Sequence, residues 1–246
     1  MKTCLITGAS GGVARALADV LRQAGWRLAL VTREGARVTA APGEPVIEAD
    51  VATEAGAEAA VAAAVTAFGQ PPDAVAHCAG AILISPIGRT TEAQYRECLA
   101  ANLDSAFFIA KAYAPRMQAA KQPGSLLFFS SVAAGIGVAN HAAIAVAKGG
   151  IEGLVRSLAA DFSAGGLRVN AIAPGLMRTP ATERLLSNPS AAKAIAAQYP
   201  VGRHGEAADA AALAALLLSD AAGWINGQVI GLDGGFGAVR PYVKSA

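Results

Sequence analysis

Short apolar runs alternate along this chain with longer stretches in which apolar residues return every three or four positions. The short runs are nearly continuous in hydrophobicity, as strands are when both faces of a sheet are covered. They predict strands at Thr3–Thr7, Arg27–Thr32, Pro45–Glu48, Ala74–His77, Ser125–Ser130, Arg168–Ile172 and Gln228–Leu232. The longer stretches predict helices at Val13–Ala24, Glu54–Phe68, Glu92–Ala119, Ala143–Ser163 and Ala207–Leu218. Pro115 is expected to bend or end the third, since proline has no amide hydrogen and crowds the preceding turn. Thr53 and Thr91 stand before acids as N-caps, and Gly25 and Gly69 follow helices where a left-handed residue is wanted. This alternation predicts a single α/β domain in which crossover helices cover a parallel sheet. Residues 176–205 break the rhythm with Pro180, Pro189 and Pro200 and read as a mobile flap carrying a short helix, a common cover for a substrate.

Composition narrows the function. Of 246 residues, 54% are hydrophobic and 15% charged, which supports a large core and excludes general disorder. Twenty basic against 18 acidic residues leave a net charge of +2, too balanced for neutralising phosphate backbones, so no nucleic-acid partner is expected. Cys4, Cys78 and Cys98 form neither an even framework nor a CxxC pair, which gives no disulfide or metal site and points to a reducing cytoplasm. The apolar run at the N-terminus is too short for a signal-peptide core. Nothing between Lys121 and Lys148 carries a formal charge, but Ser130, Ser131, Asn140, His141 and several glycines interrupt it. It reads as a buried strand feeding a loop and helix, so no membrane association is expected.

The first strand runs into GASGGVA and then a helix. Gly8 and Gly12 allow a sharp turn and close approach of a ligand, and with Ser10 and Val13 they place amides at a helix start, where a pyrophosphate binds. The helix dipole adds roughly 0.3–1 kcal/mol per favourable charge. An ordinary tight strand–helix turn is the alternative, and position at the close of the first strand of a βαβ repeat favours the phosphate site. At the end of the second strand stand Thr32 and Arg33, with no acid before Glu34. An acid there would bind a free ribose 2′-hydroxyl, whereas an arginine accommodates a 2′-phosphate, so NADP(H) is expected rather than NAD(H). The competing reading of Arg33 is an exposed loop residue.

Together these residues resemble the short-chain dehydrogenase/reductase family, most closely its 3-oxoacyl-carrier-protein reductase-like branch, through nearly the whole chain. TGASGGVA resembles the family's TGxxxGxG turn, with Ala14 at the last glycine. Asp50 and Val51 resemble its adenine-contacting pair. HCAG at 77–80 resembles NNAG, keeping Ala79 and Gly80 but replacing both asparagines by His77 and Cys78. Asn102 matches a helix asparagine that holds a water relay, Ser131 the catalytic serine and Lys148 the catalytic lysine. Pro174, Gly175 and Thr179 match the nicotinamide-side segment, and DGG at 233–235 a terminal sheet motif. The resemblance implies a Rossmann fold with seven parallel strands in the order 3-2-1-4-5-6-7, doubly wound with helices on both faces. It also implies a small-molecule substrate and a homodimer or homotetramer built on the helices at 92–119 and 143–163 and the last strand. The tail RPYVKSA either reaches a neighbouring subunit or frays.

One position departs from the pattern. The family places a tyrosine four residues before the lysine and thirteen after the serine, and both counts lead to Ile144. None of Tyr95, Tyr113, Tyr199 and Tyr242 lies within a helical turn of Lys148 along the chain. Carbonyl reduction puts hydride on carbon and a proton on oxygen, and isoleucine has no proton to give, a loss of about 10²–10⁴-fold in rate. His141, three residues before Ile144, is a candidate acid, against a solvated or capping histidine. Lys148 donating through water is another route. Ser131 either contacts substrate or satisfies turn amides, and Asn102 either holds the relay or fastens its helix. His77 is expected to pack against adenosine. Two functions follow: an NADP(H)-dependent oxidoreductase acting on a carbonyl, alcohol or activated alkene without the tyrosine, or a pseudoenzyme that binds NADP(H) as a sensor or oligomer partner.

Overall fold

In the computed structural model, which describes residues 1–240, β1 (Thr3–Thr7) is buried at every position because it lies inside a sheet covered on both faces. It pairs in parallel with β2 (Arg27–Thr32) on one side and β4 (Ala74–His77) on the other. Then α1 (Gly12–Gln23) links β1 to β2, and β3 (Val46–Glu48) and α2 (Glu54–Phe68) lead to β4. Beyond it follow α3 (Glu92–Leu99), α4 (Ser105–Ala120), β5 (Gly124–Phe129), α5 (Val132–Gly135), α6 (Ala142–Phe162) and β6 (Leu167–Pro174). The flap contributes β7 (Met177–Arg178), α7 (Glu183–Leu186), α8 (Pro189–Ala196) and β8 (Gly205–Glu206), before α9 (Ala207–Leu218) and β9 (Val229–Leu232). The parallel sheet runs β3-β2-β1-β4-β5-β6-β9, the expected order with β9 as its seventh strand. The order reverses between β1 and β4, and in such sheets ligands bind outside the strands' carboxyl ends at that reversal.

Alternate strand residues feed opposite faces, so the sheet divides the interior in two. Leu5, Val75, Leu126 and Val169 pack with Ala57, Ala60 and Val61 of α2, Ile109 and Tyr113 of α4, and Ile151 of α6. Ile6, Ala76 and Leu127 face the other way, onto Leu17 and Leu21 of α1 and Ala211 and Leu217 of α9. The caps follow the sequence: Thr53 accepts from the Gly56 amide, Thr91 forms a capping box with Gln94, and Gly25 and Gly69 take φ of 78° and 76°. Among the described residues no helix is long and apolar enough to cross a membrane.

Three expectations are corrected. The helix predicted at 92–119 is two helices joined by a wide turn, Ala100–Asp104, with one extra residue in its hydrogen-bonded loops. Pro115 does not end it. The carbonyl that Pro115 leaves without a helical donor is that of Lys111, and both residues are exposed to water, while buried Ala112, Tyr113, Ala114 and Met117 hold the helix on to Ala120. The flap carries two short helices rather than one, and its ends are clipped by the parallel β7–β8 pair. Within AFFIA, Ala106, Ile109 and Ala110 are core, whereas Phe107 is 50% exposed. Of the tail RPYVKSA, all but Arg240 lies outside the described residues.

The third correction concerns His77. It does not pack on a ligand cleft; as the last residue of β4 it is 1% exposed, and its ring meets Phe128 edge-on at 5.9 Å. Burial, with the Lys148 charge nearby, pushes its pKa down to about 3. An unfolded chain protonates this imidazole near pH 6.5, whereas the folded one stays neutral to a much lower pH. Protons therefore favour the unfolded state, and stability falls as pH drops from about 6.5 towards 3. Urea unfolding at pH 6 and pH 4 should show a loss of about 2 kcal/mol assignable to this group, as the difference in pH dependence between the natural protein and His77→Gln.

Candidate active site

At the sheet reversal the chain leaves β1 through Gly8, whose φ is +63°. A Cβ on Gly8 would lie 2.7 Å from the Ala79 backbone, so the turn after β1 rests directly on the loop after β4. Gly11 caps α1 with no side-chain bond, which leaves the first amides of the helix unengaged by side chains. Between the two loops lies a cleft of about 370 Å³, lined by Gly8, Ser10, Arg33, Asp50, Val51, Ala79 and Gly80 of the expected set. Cys78, from the HCAG motif, lines it too, as do Glu97, Ala101 and Ser105, which carried no sequence signal of their own. A glycine-walled cleft over an uncapped helix start fits a dinucleotide pyrophosphate. Ala14, at the expected third glycine, is 1% exposed and fills the core beneath α1.

The rim of this cleft carries charges of both signs, Arg33 and Arg37 with Glu34, Asp50 and Glu97. Arg33 is exposed and has no carboxylate partner among the described residues. Glu34, the first acid after β2, is paired instead with Arg37 at 2.8 Å, and Arg15 fixes that turn through the Arg37 carbonyl at 2.9 Å. Arg37 was missed from sequence, although its three-residue spacing from Glu34 is a signal for the pairing. Asp50 turns its carboxylate onto the Ala52 amide, 3.1 Å away.

Behind Gly80 sit the two side chains expected for chemistry. A Cβ at Gly80 would stand 2.7 Å from Asn102 Oδ1 and 3.5 Å from Lys148 Nζ. Lys148 is 8% exposed and donates to the Phe129 carbonyl at 2.8 Å. Burial pulls its pKa down to about 8, opposed by the neighbouring thiols of Cys98 and Cys78. Asn102 lies in the wide turn with its amide fully engaged: Nδ2 donates to the carbonyls of Cys98 (2.9 Å) and Ala81 (3.0 Å), and Oδ1 accepts from the Ala81 amide (3.3 Å). It fastens the loop after β4 to its own helix.

Ser131 caps α5 by accepting from the Ala133 amide at 3.2 Å. His141 precedes α6 without capping it. Its Nδ1 lies 2.6 Å from the Ala139 carbonyl, which only accepts, so Nδ1 bears the hydrogen and Nε2 is left to a ligand or solvent. His141 borders a second cavity, of about 480 Å³, whose wall includes Pro86, Ile87, Ala133, Ile136, Val138 and Ala145; its other polar side chain is Asn140. Ile144 is 6% exposed and clusters with Cys98, Ala143 and Ala147 against Leu83, Tyr95, Leu99 and Leu103. The structure thus brings Tyr95 to the Ile144 cluster from α3. The repeat of positions 95, 98, 99 and 102 on one helix face was the signal for it.

On the flap side, Gly175 donates to the Leu232 carbonyl at 3.0 Å, and a Cβ there would lie 2.8 Å from the Tyr199 ring. The Tyr199 hydroxyl accepts from the Leu176 amide at 2.7 Å. Thr179 and Pro180 rest against Gly12, where a Cβ would be 3.0–3.1 Å from them. Gly12, Val13, Lys148, Pro174, Gly175 and Thr179 therefore lie outside the lining of the 370 Å³ cleft, with Gly12 and Thr179 meeting where the flap covers the turn.

Comparison with known proteins accords with this architecture. A family profile described as enoyl-(acyl carrier protein) reductase matches residues 8–237. A 2,5-dichloro-2,5-cyclohexadiene-1,4-diol dehydrogenase of Sphingobium indicum is 32% identical over 244 residues, covering 97% of this chain and 98% of that one. A probable 2,4-dienoyl-CoA reductase, (2E)-enoyl-CoA-producing, of Bacillus subtilis is 34% identical over 247 residues, covering 95% and 96%. The ligand-free structure of Thermoplasma acidophilum aldohexose dehydrogenase superposes with a TM-score of 0.91 at 25% identity, covering 100% of this chain and 97% of that one. A profile over nearly the whole length, on this strand order and with relatives named as dehydrogenases and reductases, means that the chain belongs to the short-chain dehydrogenase/reductase family of oxidoreductases.

Proposed function

We propose that this protein is an NADP(H)-dependent oxidoreductase whose preferred substrate is an uncharged, largely apolar compound bearing an activated double bond. The observation that carries the reading is the convergence at Gly80: the dinucleotide cleft, Asn102 and Lys148 share that one backbone segment. Gly8, Ser10, Gly12 and Val13 would hold the pyrophosphate, Asp50 and Val51 the adenine side, Arg33 with Arg37 the 2′-phosphate, and Ala79, Gly80, Lys148, Pro174, Gly175 and Thr179 the nicotinamide half. When bound, the nicotinamide supplies or takes a hydride.

The chain's own residues then decide which acceptor is served. A ketone becomes an alkoxide, a strong base that needs an acid at oxygen, and Ile144 offers none. A conjugated acceptor spreads the developing charge into a weaker enolate, and its proton arrives at carbon. The Ser131 hydroxyl, whose acceptor side is used by Ala133, can donate to that oxygen, and the buried Lys148 ammonium stabilises it through a low-dielectric path. His141, with Nε2 uncommitted beside the apolar cavity, is the residue we assign to proton transfer. Among the described residues the wall of that cavity carries no aspartate, glutamate, lysine or arginine, which supports the neutral, apolar substrate. The matching family profile, described as an enoyl-(acyl carrier protein) reductase, and the Bacillus subtilis relative, a probable 2,4-dienoyl-CoA reductase, accord with an acceptor of this kind.

The burial of Ile144 in hydrocarbon favours a second reading, a protein that binds NADP(H) without turnover. A coupled assay with a substituted cyclohexenone and its saturated ketone separates the two. We expect NADPH oxidation with the enone, little with the ketone, and a fall of about 10²-fold in kcat for His141→Ala. Binding without turnover of any acceptor establishes the second reading, and ketone reduction gained only by Ile144→Tyr identifies the site as otherwise intact.

By calorimetry NADPH should bind more tightly than NADH, and Arg33→Ala should weaken NADPH about tenfold while leaving NADH nearly unchanged. Half-exposed Phe107 on α4 and Val146 on α6 support self-association through these helices. In light scattering, Phe107→Asp should shift a homodimer or homotetramer towards a smaller species; a natural protein that is already monomeric removes this proposal.

A further inference from the structure

We propose that His77 is a positioning residue: held as one tautomer between Thr7 and Ser105, it sets the Ala79–Ala81 wall of the dinucleotide cleft against the wide turn that carries Asn102. The functional part of this proposal rests on reading that cleft as the NADP(H) site.

The hydrogen bonds around the ring run in one direction. Ser105 Oγ lies 2.9 Å from the Ala101 carbonyl and 3.3 Å from the Asn102 carbonyl. Both only accept, so the hydroxyl hydrogen points back into the helix and a lone pair faces His77 Nε2 at 3.0 Å. At the other side Thr7 Oγ1 accepts from the Ala79 amide at 3.3 Å, and among the described residues its own hydrogen has one acceptor, His77 Nδ1 at 2.9 Å. The ring therefore carries its hydrogen on Nε2. The relay reads Ala79 N–H to Thr7, Thr7 O–H to Nδ1, Nε2–H to Ser105, and Ser105 O–H to Ala101. Thr7, His77 and Ser105 are 0%, 1% and 1% exposed, so a broken link strands a buried polar group with no water to replace the partner.

Both ends of this strut belong to the cleft: Ala79 and Gly80 form one wall, Ala101 and Ser105 part of another. Asn102 grips the same loop from the side through Ala81. The loop after β4 is thus pinned at two amides two residues apart, one through Thr7 and the ring, the other through Asn102. A histidine that only filled the core would have no need of a directed chain ending at two cleft walls.

The test uses the whole protein and three readouts. Long-range ¹⁵N spectra of the cofactor-free protein should show the Nε2–H tautomer from pH 8 to pH 5. In His77→Leu, confirmed as folded by circular dichroism, amide exchange at Ala79 and Ala81 should rise about tenfold, and the NADPH dissociation constant should rise by about the same factor. His77→Asn places its amide oxygen near Nδ1, so it restores the Thr7 arm, whereas His77→Gln reaches Ser105. Each should recover part of both effects, which loss of packing alone would not predict. If His77→Leu fails to fold, Thr7→Val and Ser105→Ala remove one link each and are read in the same way. An Nδ1–H tautomer, or exchange and affinity within twofold of the natural protein in folded variants, overturns the proposal. If the natural protein binds no NADPH, the cofactor reading fails, while the tautomer and exchange measurements still decide the strut.

Discussion

The contact on which the site depends is the approach of the turn after β1 to the loop after β4. At Gly8 the separation leaves no room for a Cβ: one would sit 2.7 Å from the Ala79 backbone. The positive φ of Gly8 and the absence of its side chain are needed together, since either an L-residue's conformational preference or its bulk would push the loops apart. Everything that borders the cleft is referenced to that junction. β1 and β4 are the adjacent strands at which the sheet order reverses, so one contact sets both the phosphate end and the Gly80 end. The helix face carrying Asn102 is brought to the same place by the wide turn, whose extra residue rotates α4 relative to α3.

Much of this was legible in the sequence because it follows from local rules. Strand and helix positions came from periodicity, and boundaries moved by only a residue or two at most ends, as fraying makes usual. Gly8 and Ser10 came from a glycine pattern tied to its place in a strand–helix unit, Arg33 from the end of the second strand, and Asp50, Val51, Ala79 and Gly80 from the family resemblance. What escaped was governed by tertiary surroundings. The persistence of the helix through Pro115 depends on which face is wet, and sequence pattern fixed only that proline is costly there. His77 looked like a ligand contact because it ends a strand at the right edge. In the fold His77 turns into the core against Phe128, while Cys78, the next residue, borders the cleft and packs against the opposite core cluster. Tyr95 escaped for another reason: proximity along the chain to Lys148 is a poor guide when a neighbouring helix packs against the same cluster.

The expected catalytic residues divide in the same manner. Asn102 and Lys148 converge on Gly80, and their roles can be argued from bonds that are already made. Ser131 Oγ accepts from a backbone amide and keeps its own hydrogen uncommitted among the described residues, while His141 commits Nδ1 to a backbone carbonyl and leaves Nε2 uncommitted among them. That is the arrangement of a group pre-oriented for a ligand, because the backbone bond removes rotamer freedom before binding. It is also the arrangement of an ordinary loop-end side chain, so it gains meaning only from the cavity beside His141.

Electrostatics gives the strongest constraint on the chemistry. Lys148 is a buried amine beside two thiols that burial keeps neutral, raising the pKa of Cys78 to about 12 and lifting that of Cys98. Among the described residues no carboxylate pairs with it, and the Phe129 carbonyl accepts from it. A cation left with so little compensation lowers the energy of negative charge that develops nearby during reaction, and it does so most where water is absent. In the reading proposed above, hydrocarbon at Ile144 leaves that charge without a proton from the same helix turn, which favours substrates that carry the charge themselves. Under that reading, delocalisation in the substrate takes over the task that a phenol would otherwise perform.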